Sequence, residues 1–83
     1  MRKYEPAWLE LKKKRILRLA VPRPLHKRVI KAIIKEKWLD IGYKFERINQ
    51  SYWDELAYTR NNNIIEFRLV AHAVLESVTV DSI

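Results

Sequence analysis

The chain predicts an α+β fold: a small two-layer domain in which one long helix packs on an antiparallel β-meander, in the order β-α-β-β-β. Three observations predict it. Apolar residues recur with a helical period between Pro24 and Asp40. Apolar and polar residues alternate over residues 15–21, 43–48 and 64–70. The single glycine, the three prolines and the Asn61-Asn62-Asn63 run fall at the edges of these stretches, where boundaries are wanted. Eighty-three residues fit a single domain, residues 1–83, with a thin core.

Residues 1–11 read as an N-terminal arm with an aromatic-aliphatic cluster at Tyr4, Trp8, Leu9 and Leu11, and a short helical turn from Pro6. Residues 15–21 are expected as a strand, with Leu17, Leu19 and Val21 on one face and Ile16, Arg18 and Ala20 on the other. Pro22-Arg23-Pro24 ends it, because proline donates nothing to a ladder and extends its neighbours. Pro24 then opens the helix, which runs to Asp40 with Gly42 as its left-handed C-terminal residue. At 100° per residue, Leu25, Val29, Ile30, Ala32 and Ile33 share one arc, flanked by Ile34 and Leu39. Lys27, Arg28, Lys31 and Lys35 fill the opposite arc.

Past Gly42 the period changes, and residues 43–48 suit a strand with an aromatic face, followed by a turn at Asn49-Gln50-Ser51. Residues 52–60 fit either a strand or a helix capped by Ser51. The strand is preferred because Asn61–Asn63, tolerant of positive φ, and the β-prone residues 64–70 then complete a hairpin. Residues 71–83 combine helical spacing with a β-like Val78-Thr79-Val80, and the pattern leaves their structure open.

Charge is the strongest functional signal. Residues 1–47 hold fifteen Lys/Arg against five Asp/Glu, a net +10, and residues 48–83 hold two against five, a net −3; together these make the formal +7. Such an imbalance predicts a cationic face, and a polyphosphate backbone is its commonest ligand. The expected nucleic-acid-binding residues are Lys12, Lys13, Lys14, Arg15 and Arg18, continuing through Arg23 to the helix cations Lys27, Arg28, Lys31 and Lys35. They would grip phosphates and release condensed counterions. Arg15, Arg18 and Arg23 would supply any sequence preference through guanine edges, with DNA ahead of RNA. The aromatics at Tyr43, Phe45, Tyr52, Trp53, Tyr58 and Phe67 are expected in the core, since the meander that holds them falls mostly in the acidic residues 48–83. Trp38 lies at the edge of the cationic arc.

Other chemistries find little support. Cysteine is absent, which excludes disulfides and thiolate metal sites and fits a reducing, cytoplasmic setting. No signal segment or apolar span of about 20 residues is present in the sequence, so membrane association is not expected. His26 and His72 stand 46 positions apart without clustered carboxylates, and one glycine cannot build a phosphate-cradling loop. Neither catalysis, a metal nor a cofactor is expected.

The alternative reading is a protein-interaction module that docks its basic face on an acidic protein partner. A homodimer would add stability to so small a domain. The order of basic strand (residues 15–21), Pro22 and amphipathic helix (residues 25–38) resembles the opening of a ribbon-helix-helix repressor. That resemblance covers about a third of the chain. It implies a dimer whose paired strands enter the major groove, with a second helix at residues 51–60. The connection through residues 42–50 is longer and more aromatic than that pattern wants.

Overall fold

The computed structural model describes residues 1–43 and 52–73. In chain order these form α1 (Glu5–Lys14), β1 (Ile16–Ala20), a 3-10 turn (Arg23–Leu25), α2 (His26–Leu39), β2 (Tyr52–Arg60) and β3 (Ile64–Ala73). The three strands make one antiparallel sheet in the order β1-β3-β2. Both helices contribute to the core, which joins Trp8 and Leu11 of α1 and Val29, Ile30 and Ile33 of α2 to Leu17, Ile65, Phe67 and Leu69 of the sheet. The expected α+β class stands, with two helices rather than one.

α1 replaces most of the expected arm. Glu5 sits in its first turn, Pro6 near its start, and Lys12, Lys13 and Lys14 in its last turn, a charge order that complements the helix dipole. Tyr4, Ala7, Trp8 and Leu11 lie at i, i+3, i+4 and i+7, so one stripe faces the core, where Trp8 and Leu11 are buried. The helix stops at Arg15, whose φ of 70° is the only positive value among the described residues. Its N–H bonds the Leu11 carbonyl at 2.7 Å, a left-handed cap that swings the chain into β1.

Register fixes which face of the sheet is covered. Leu17 pairs with Phe67 and Phe67 with Tyr58, Leu19 pairs with Ile65, and Leu56 with Leu69. These residues share the helix-facing side, while Ile16, Arg18, Glu66, Arg68 and Val70 share the other. The hairpin between β2 and β3 forms as expected, but for a different reason. No asparagine adopts positive φ; the Asn61 side-chain oxygen instead accepts from the N–H groups of Asn63 and Ile64, each at 2.9 Å.

α2 departs from expectation at both ends and in what it buries. Pro24 lies in the 3-10 turn and the α-helix begins at His26. At the far end Asp40 turns extended, and its Oδ1 accepts from the Tyr43 N–H at 3.0 Å, capping a helical turn over residues 41–43. Gly42 is therefore not a left-handed helix terminus, and Tyr43 does not begin a strand; residues 44–48 of that expected strand lie outside the described residues. Leu25, Ile34 and Leu39 are exposed, whereas His26, Glu36 and Lys37 are buried. Tyr52–Arg60 is a strand and β1 pairs with β3 of its own chain, so the second helix implied by the ribbon-helix-helix resemblance is absent.

Candidate nucleic-acid interface

The cations expected to bind nucleic acid divide into two sets. The first lies along α1 and β1 and meets carboxylates from later in the chain. Lys12 Nζ is 3.1 Å from Asp40 Oδ2. Arg15 grips Asp54 with two guanidinium nitrogens, and Arg18 Nε reaches Glu66 at 2.7 Å. Lys14 lies 4.0 Å from Glu10, one turn back on its own helix. Arg23 donates to the Asn62 side-chain oxygen at 3.4 Å. Lys13 is exposed and has no such partner among the described residues.

Asp40 shows why the first set is tied down. It takes hydrogen bonds from the Trp8 indole at 2.7 Å, from Lys12 and from the Tyr43 N–H, clamping α1 to the end of α2. Burial pushes this carboxyl up, but the hydrogen bonds from Trp8, Tyr43 and Lys12 outweigh it and hold the group below its ordinary range. A Cβ on Gly42 would lie 3.2 Å from Asp40 Oδ1 and 3.5 Å from Lys12 Nζ, so glycine leaves room for this clamp. A second tie to α2 runs from Arg2 Nε, just ahead of α1, to both oxygens of buried Glu36, each at 2.9 Å. On the uncovered side of the sheet, Arg18 and Arg68 both donate to Glu66, and these hydrogen bonds hold its carboxyl below the usual range. An open hollow of about 400 Å³ beside them is lined by Arg18, Thr59, Arg60, Asn61, Ile64 and Glu66.

The second set belongs to α2. Lys27, Arg28, Lys31 and Lys35 are all exposed, and none has an ion-pair or hydrogen-bond partner among the described residues. From Lys27 to Lys35 the axial rise is about 12 Å. The opposite face of the helix is anchored by Val29, Ile30 and Ile33 in the core and by His26, whose Nε2 donates to the Val21 carbonyl at 2.7 Å. The cationic stripe is therefore held on a rigid support and turned to solvent. Trp38 shares that face at 49% exposure.

Sequence reasoning placed the stripe correctly and missed the pairing of the first set, because the partner carboxylates lie 28 to 48 positions downstream. Among the expected core aromatics, Tyr43 and Phe67 are buried and Tyr58 is half exposed. Phe45 and the side chains of Tyr52 and Trp53 lie outside the description. Among the described residues no group of three or more His, Asp or Glu is placed to hold a metal ion. No described helix is long and apolar enough to cross a membrane. Comparison with protein-family models, with curated proteins and with solved structures finds no match.

Proposed function

We propose that this protein binds nucleic acid by laying the outer face of α2 along a phosphate backbone. The observation that carries the reading is the row Lys27, Arg28, Lys31 and Lys35, exposed and without carboxylate partners among the described residues. A cation already paired in the free protein must give up that pair to meet a phosphate, whereas a solvated one only exchanges hydration and releases counterions. Lys12, Arg15 and Arg18 therefore serve the fold first, and the grip belongs to α2. Lys13, exposed and without such a partner among the described residues, is the member of the first set that could add to it.

Reversal of Lys27, Lys31 and Lys35 to Glu tests the reading. Retention of oligonucleotides in a gel shift at low salt falls by about 100-fold or more while the circular dichroism spectrum stays unchanged. Undiminished retention overturns it. The exposed Leu39 and Ile41 at the end of α2 favour a second reading, an acidic protein partner on the same face. A wild-type protein that binds no oligonucleotide at low salt but binds an acidic partner with a dependence on the same three lysines selects that reading.

A further inference from the structure

We infer that the ligand of this face is single-stranded nucleic acid and that Trp38 is the platform on which one of its bases stacks; the inference rests on the phosphate-binding reading above. The helical period puts Trp38 at the edge of the cationic arc, and the structure leaves it 49% exposed, against 1% for Trp8. Around the axis of α2 the outward order is Ile34, Lys27, Trp38, Lys31, Lys35. The indole thus points the same way as the lysines and closes their row at the C-terminal end of α2. Its position is fixed from behind, because the ammonium of buried Lys37 lies 5.4 Å from the ring centroid and donates to the Asp54 carbonyl at 3.1 Å. A ring held at one side and open to solvent elsewhere, with Lys35 one turn and Lys31 two turns before it, has the parts of a single-strand site: a stacking surface and a charged track for the phosphates that lead up to it.

Two features argue against other occupants. Bases in a duplex already stack on one another and offer no face to an indole. A helix that lies in a bilayer surface has a continuous apolar face with its cations at the edges. Here the face that carries Trp38 also carries Lys27, Lys31 and Lys35 along its length.

The test is fluorescence anisotropy at fixed low salt with labelled oligo-dT and oligo-rU of about 12 nucleotides and with a duplex of the same length. Wild type, Trp38→Ala and Trp38→Phe are compared, and vesicles of phosphatidylserine and phosphatidylcholine form a further arm. The expected result is single strands bound at least about fivefold tighter than duplex, and a loss of about tenfold on single strands in Trp38→Ala. Duplex affinity then changes by less than about twofold, and Trp38→Phe keeps most of the single-strand affinity because a ring remains. An unaffected single-strand affinity in Trp38→Ala overturns the inference, as do equal losses on strand and duplex or a Trp38-dependent binding to vesicles alone. Duplex binding that depends on the lysines with no effect of Trp38 leaves the phosphate grip standing and removes the stacking role. No binding to any oligonucleotide removes both.

Discussion

The α1–β1 segment and the outer face of α2 carry similar cations in opposite circumstances. Along α1 and β1, Lys12, Arg15 and Arg18 meet Asp40, Asp54 and Glu66. On α2, Lys27, Arg28, Lys31 and Lys35 meet solvent. A count of charges treats the two groups alike, yet only one is available to a ligand without first giving up an ion pair. The densest run of basic residues in a sequence is therefore not the best guide to where unpaired cations lie. Residues 12–15 form that run, and two of its four members are bound to carboxylates that seat α1 and the hairpin.

Substitutions test that contrast in order of expected size. Trp8→Ala removes a fully buried indole and an asparate hydrogen bond from α1, and should cost about 3–5 kcal/mol in urea unfolding. A loss within experimental error would return α1 to the N-terminal arm that its composition suggested. Arg15→Ala leaves the Asp54 carboxylate, with a side chain only 11% exposed, without its guanidinium, at a cost of about 1–2 kcal/mol, and should leave oligonucleotide retention unchanged. A retention loss matching that of the α2 reversal would erase the distinction between the two sets.

Asp40→Asn should cost about 1 kcal/mol at neutral pH, and that deficit should shrink in acid. The folded-state carboxyl titrates below the unfolded one, so its contribution is complete above the unfolded value of about 4 and disappears as pH falls through the folded value. Unfolding curves of both proteins should therefore lie closer together at pH 3 than at pH 7; a constant gap would remove the charge from the clamp. Arg18→Ala should change the unfolding midpoint least, because its ion pair is exposed and Arg68 still reaches Glu66.

Much of the fold was legible because its signals are local. The period of α2, the Pro22–Pro24 break and the β-rich residues 64–70 each declare themselves within about ten positions. The α1 stripe was legible too: Ala7 completes the spacing of Tyr4, Trp8 and Leu11, whereas grouping Leu9 with them hides it. What the sequence withheld depends on distant partners. Glu36 and Lys37 are residue types rarely buried, and Glu36 is buried because Arg2, 34 positions away, neutralises it. Asp40 reads as the tail of a helix until Trp8 and Lys12 are seen to converge on it. For the candidate site the residues on α2 were identifiable from periodicity alone. Their freedom from carboxylates required the folded chain.

The salt dependence of binding weighs the two sets of cations against each other. Neutralising four phosphates gives a log–log slope of about −3 to −4, and Lys31→Ala should lower its magnitude by about 1 whereas Lys12→Ala leaves it unchanged. A slope near zero, or one that responds to Lys12 and ignores Lys31, would contradict the assignment of the phosphate grip to α2.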